Sequence, residues 1–176
     1  ADGKVLVTAT GKITVPPKAG FMGWVFKGGL IGWDYTTNGS GNDGIFYAET
    51  NMKVSGNPGD AGKPWVVTLI STGSVNVAGN QRMTPAETVD RYLILAGQDV
   101  ELSGNTNESD LKAFLEQPAM KITENPPPMT VYSSYAGVIA AHEQLWLNGN
   151  PIFFGKVIVE DAVDTAKSLT HTVVIS

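Results

Sequence analysis

Histidine, the side chain best suited to moving protons near neutral pH, occurs at only two positions, His142 and His171. Neither has a partner at metal-ligand spacing, and His171, in phase with Val173 and Ile175, reads as a structural histidine of a last strand. Cysteine is absent, which removes disulfide frameworks, zinc fingers, iron–sulfur sites and thiolate nucleophiles. No GxSxG, HExxH or P-loop pattern occurs. Asn38, Ser40, Asn42 and Glu49 fall at the first, third, fifth and twelfth spacing of a calcium loop. Asp43, however, occupies the sixth position, where the sharp turn needs glycine. A solvated loop over Thr37–Gly44 accounts better for those residues. The carboxylates are scattered, with no defensible acid–base pair. The sequence therefore predicts no catalytic residue, no metal and no cofactor. Trp24, Trp33, Trp65 and Trp146 remain, either as core aromatics or as a stacking platform for sugar rings.

The elements that must position such residues read as strands. The chain has 176 residues, 42% of them hydrophobic, with 20 glycines and 10 prolines punctuating short apolar runs. That rhythm predicts an all-β chain of one domain with a substantial core. A net charge of −5 and a pI near 4.9 argue against nucleic acid or an anionic membrane as the main partner. No apolar run approaches the length of a membrane span. A start at Ala1-Asp2 is consistent with the mature end left by signal-peptide cleavage, or with a trimmed chain.

Strands are expected at Gly23–Lys27, Leu30–Thr36, Gly44–Val54, Pro64–Thr72, Ser74–Ala78 and Arg91–Ala96. Others are expected at Ala119–Thr123, Met129–Ala140, Gln144–Leu147, Pro151–Glu160 and Leu169–Ile175. Asn148-Gly149 is the strongest hairpin signal. Thr84-Pro85-Ala86-Glu87 has the form of a capping box opening a short helix. Glu108–Gln117 carries an i, i+3, i+4 apolar stripe behind Asn107 as N-cap, and Pro118 ends it. No internal repeat and no dividing linker are read, Asn125–Pro128 being a stiff connector.

The amino end carries the most pronounced pattern. In Gly3–Val15 the residues Val5, Val7, Ala9, Gly11, Ile13 and Val15 share one phase of a two-residue period, and Pro16-Pro17 stops the run. A one-faced apolar strand of this kind must bury that face in its own sheet or in a neighbour's.

The opening strand resembles the N-terminal donor extension of chaperone–usher pilus subunits. Val5, Val7, Ala9, Gly11 and Ile13 match that extension's order of apolar residues with a small glycine in phase. Trp24–Leu30 with Thr36-Thr37-Asn38, Ser134–Val138, Leu147–Gly155 and the closing Thr172–Ser176 are similar to the cysteine-free fimbrial major-subunit and adhesin family of enterotoxigenic enterobacteria. The resemblance implies an immunoglobulin-like β-sandwich lacking its last strand and completed by donor-strand exchange. Residues 1–15 would be the donor extension and 16–176 the pilin domain, with one or two short helices. Val173 and Ile175 would border the acceptor groove. The function implied is that of a non-enzymatic structural subunit of an extracellular adhesive pilus, exported through the periplasm. Its partners would be neighbouring copies or related subunits, a periplasmic chaperone, an outer-membrane usher and host glycans. A shallow glycan site is expected beside Thr37–Gly44 or Gly97–Asp110. The alternative is a monomeric secreted carbohydrate-binding β-sandwich.

Overall fold

A computed structural model describes residues 5–8, 11–14, 20–21, 23–28, 33–37, 43–60, 63–105 and 133–160. Every regular element among them is a strand. The amino-terminal strands are β1 (Val5–Thr8), β2 (Gly11–Thr14), β3 (Gly20–Phe21), β4 (Trp24–Gly28) and β5 (Trp33–Thr37). Then come β6 (Gly44–Ala48), β7 (Asn51–Ser55), β8 (Trp65–Ser71), β9 (Val75–Ala78) and β10 (Met83–Thr84). The last are β11 (Tyr92–Ala96), β12 (Val100–Asn105), β13 (Tyr135–Ala141), β14 (Leu145–Asn150) and β15 (Phe153–Val159).

The strands alternate between two sheets as the chain advances. One sheet takes β6, β8, β11, β13 and β15, with β10 beside β8 and β13, and the other takes β5, β7, β9, β12 and β14. All of these neighbours pair in parallel. The chain thus winds as a β-solenoid, in which each coil adds one strand to each sheet. Parallel neighbours need a crossover connection; here the crossover of each sheet is a strand of the other. Antiparallel pairs occur at the amino end, where β1 pairs with β2 and β6, β3 with β4, and β4 with β5.

This overturns the expected immunoglobulin-like sandwich. That fold is an antiparallel arrangement, whereas the strands from β5 to β15 pair with their sheet neighbours in parallel apart from the antiparallel pairs at the amino end. Alternation of period two, which suggested the sandwich, is equally compatible with either direction of pairing. The Asn148-Gly149 hairpin is also corrected. Both residues lie within β14 and continue its parallel ladder to Ser103 and Gly104. Asn-Gly here marks a corner of the coil rather than a reversal.

The corners show a repeat that the sequence reading did not find. Met52-Lys-Val-Ser-Gly-Asn57, Val75-Asn-Val-Ala-Gly-Asn80, Val100-Glu-Leu-Ser-Gly-Asn105 and Leu145-Trp-Leu-Asn-Gly-Asn150 superpose in register. Their first and third residues form inward ladders, Met52–Val75–Val100–Leu145 and Val54–Val77–Leu102–Leu147. Facing them in the other sheet is Phe46–Leu69–Ile94–Ile139–Val157. Phe46, Leu69, Ile94 and Ile139 are fully buried. Each such side chain contributes on the order of 1.5–3 kcal/mol by leaving water. Trp24 closes the amino end of this core, its ring centroid 5.6 Å from that of Phe46.

Hydrogen bonds lock both corners of the coil. At one, Asn80 N donates to Asn57 Oδ1 at 2.7 Å and Asn105 N to Asn80 Oδ1 at 2.8 Å. At the other, Thr72, Gly97 and His142 donate backbone N–H groups to Ala48, Ser71 and Ala96 carbonyls at 2.9–3.1 Å. Gly79 lies in the first corner with φ +116°, and a Cβ there would fall 1.8 Å from the carbonyl oxygen of Gly56. Only glycine allows this approach of one coil to the next.

The capping box at Thr84 opens no helix. Thr84 pairs in parallel with Val66 in β10, and the Glu87 N–H that a capping Thr84 would receive donates instead to Thr68 Oγ1 at 3.1 Å. Glu87 reaches forward instead, accepting from the backbone N–H of Val89 at 2.6 Å, Asp90 at 2.9 Å and Tyr92 at 3.3 Å. The hydrogen bond from Val89, with those from its neighbours, holds the carboxyl below its ordinary range. The helix expected at Glu108–Gln117, like the strands at Ala119–Thr123 and Leu169–Ile175, lies outside the described residues.

Two predictions concern the coil. Gly79→Val should lower stability by about 3 kcal/mol or more, because both the backbone conformation and the contact with Gly56 forbid a side chain. Thr88→Ala, on an exposed loop, should stay within about 0.5 kcal/mol; denaturant melts of both variants check this. Glu87 titrates low in the folded chain, so its contribution is present above the carboxylate's unfolded value and is lost as pH falls through the lower folded value. Glu87→Gln should therefore melt below the parent at neutral pH, and the gap should close in acid. A gap independent of pH would contradict the assignment.

Candidate binding groove

Between the two inward residues of each repeat lies one outward residue, since successive strand side chains alternate faces. These outward residues are Lys53, Asn76, Glu101 and Trp146, and the parallel register sets them side by side. They line a groove of about 500 Å³ on the outer face of the sheet, to which Asp99 and Asn148 also contribute. That size lies within the ~300–1,000 Å³ usual for small-ligand sites.

Glu101 is the centre of the groove. Asn148 Nδ2 donates to its Oε1 at 2.8 Å, and Asn76 Nδ2 donates to its Oε2. Both carboxylate oxygens are thus oriented by amides from the two flanking strands. An ionised carboxylate has about four lone-pair sites, so accepting capacity remains toward solvent. Glu101 is half-buried and Asn148 exposed, which leaves the cluster open to a ligand. Trp146, half-buried, stands one rung from Glu101, and exposed Lys53 stands two rungs away on the other side. The floor is the apolar ladder beneath, with Met52 and Val75 fully or almost fully buried.

The residues singled out in the sequence are dispersed. Val5 and Val7 lie in β1 and Gly11 and Ile13 in β2, while Ala9, Val173 and Ile175 lie outside the described residues. Gly3–Val15 is not one strand: β1 and β2 pair with the register Val7↔Lys12 and Leu6↔Ile13, and β1 also pairs with β6 of the same chain. In that register Val5 and Val7 occupy positions opposite Thr14 and Lys12 rather than opposite Gly11 and Ile13. Asn38, Ser40, Asn42 and His171 lie outside the described residues. His142 Nδ1 meets Glu160 Oε2 at 2.5 Å as an exposed surface pair. No group of three metal-ligating side chains occurs among the described residues. Of the tryptophans, Trp24 and Trp65 are core, whereas Trp146 borders the groove.

Sequence reasoning came near this site through Gly97–Asp110, which contains Asp99 and Glu101, and through Trp146. It missed Asn76 and Asn148. The signal that finds Asn76 is the repeat, because aligning the four Gly-Asn corners brings Lys53, Asn76, Glu101 and Trp146 into one column, with Asn148 two residues beyond Trp146. No helix among the described residues is long and apolar enough to cross a membrane. No protein-family model, curated protein or solved structure matches the chain.

Proposed function

We propose that the protein is a non-catalytic carbohydrate-binding protein acting outside the cell, and that the groove on the β7–β9–β12–β14 sheet is its site. The observation that carries this reading is the Glu101 carboxylate, oriented by Asn76 and Asn148 one rung from the Trp146 indole. Sugar recognition combines an aromatic face for the apolar side of a pyranose with fixed amide and carboxylate groups for its hydroxyls. Amides on both flanking strands hold the two carboxylate oxygens in place as fixed acceptors for such hydroxyls.

The test is titration of the purified chain with a panel of soluble oligosaccharides, monitored by tryptophan fluorescence and calorimetry. Trp146→Ala should weaken binding at least tenfold and abolish most of the fluorescence response while leaving the melting temperature near that of the parent. Binding undiminished in Trp146→Ala would remove the groove as the site, and release of reducing ends would replace a binding role with a hydrolytic one.

A second reading, a self-associating filament subunit, is favoured by the carboxyl-side coil. Leu147 continues the inward ladder yet is 51% exposed, and Val159 is 37% exposed. A further coil from a second copy would cover both. Such assembly would stack coils edge to edge and requires no donated strand. Sedimentation at rising concentration distinguishes this reading, with Leu147→Lys expected to hold the chain monomeric.

A further inference from the structure

We infer that Glu101 sets the specificity of the groove by accepting two neighbouring hydroxyls of a neutral hexose chain, and that the site discriminates against acidic sugars. The inference deepens the carbohydrate-binding reading and rests on it.

Donors and acceptors in the groove are unevenly matched. Asn76 and Asn148 each donate one Nδ2 N–H to Glu101, and each amide group carries a second N–H besides its Oδ1 acceptor. Glu101 itself is acceptor-only when ionised. The carboxylate at the middle of the groove therefore asks for donors. Vicinal hydroxyls satisfy that demand, since a carboxylate receives two O–H donors side by side and charge-assisted bonds of this type are the stronger ones. A carboxylate or sulfate on the sugar brings no donor and sets like charges together. Asp99 at the same groove adds to that repulsion.

The only lysine among the groove-lining residues is Lys53, and its place in the register does not cancel the effect. Lys53 pairs with Asn76, and Asn76 with Glu101, so two strand spacings, about 10 Å, separate the two backbones. The row from Trp146 to Lys53 covers three spacings, about 14 Å. That is longer than one pyranose ring, so the ligand is an oligosaccharide crossing the strands. Its ring on Trp146 brings the next hydroxyl pair over Glu101.

The experiment uses the full chain and calorimetric titration with three probes of equal length: a mannan-type oligosaccharide, a cello-type oligosaccharide and an oligogalacturonate. At least one neutral chain should bind tenfold or more tightly than the oligogalacturonate at low salt. Glu101→Gln, which keeps the shape and removes the charge, should weaken the neutral ligand about tenfold and narrow its lead over the acidic one. Asn148→Asp, at an exposed position, places a second carboxylate beside Glu101 and should also weaken the neutral ligand. It serves as the independent variant should Glu101→Gln fail to fold. Equal binding of the acidic chain by the parent, or an unchanged preference in Glu101→Gln, overturns the specificity assignment while leaving carbohydrate binding standing. Absence of binding to all three probes, and to the wider oligosaccharide panel, overturns both.

Discussion

Parallel in-register stacking of one coil on the next is the constraint on which the rest of this structure depends. Each strand takes its neighbours from the coils before and after it, so a residue's surroundings are set by its counterpart a coil away. Like residues consequently meet like: Phe46, Leu69, Ile94 and Ile139 in one sheet, and Met52, Val75, Val100 and Leu145 in the other. The register is strict because a slip of one residue would turn every inward side chain outward. The Asn57–Asn80–Asn105 corner bonds reinforce it, each side-chain oxygen satisfying an amide that the corner would otherwise leave unpaired.

The same constraint builds the groove. A repeat that keeps its inward positions apolar is free to vary the outward position between them. Stacking then converts residues distant in sequence into a contiguous row. Here the variation runs from an ammonium through an amide and a carboxylate to an indole, within about 14 Å. The carboxylate at its centre owes its orientation to amides on both flanking strands, one directly beside it and one displaced by two residues along β14. A solenoid face thus fixes side chains on rigid strands rather than on loops.

Among the described residues, one irregular stretch lies where the repeat is interrupted. Between β9 and β11 the chain makes the small bridge of β10, then a loop that Glu87 gathers onto its carboxylate. Arg91 comes next with φ 59°, a conformation that costs energy for a residue with a side chain. The ladder of β11 and β13 shifts between Tyr92 and Ile94, a bulge that lets Leu93 join the core alongside Ile94, both fully buried.

Several properties were determined by the sequence itself: strands with turn residues between them, the exclusion of cysteine chemistry, and an exposed polar bend at Gly97-Gln98. These are local properties, set by composition and by the alternation of neighbouring side chains. Direction and partner of each strand were decided only by the tertiary structure. Gly3–Val15 alternates as a single strand would, yet β1 and β2 within it pair antiparallel with each other, and β1 also pairs with β6. Asn148-Gly149 suits a hairpin turn and a solenoid corner equally, and the parallel pairing of β14 with β12 settles which is formed. The Gly-Asn repeat was present to be read, but its spacing is unequal: Val75 and Val100 come soon after Met52, while Leu145 comes only beyond residues 106–132. Glu101 meets Asn76 and Asn148 because parallel pairing places β12 between β9 and β14. That adjacency is a long-range choice of hydrogen-bonding partner, which no local pattern of residues specifies.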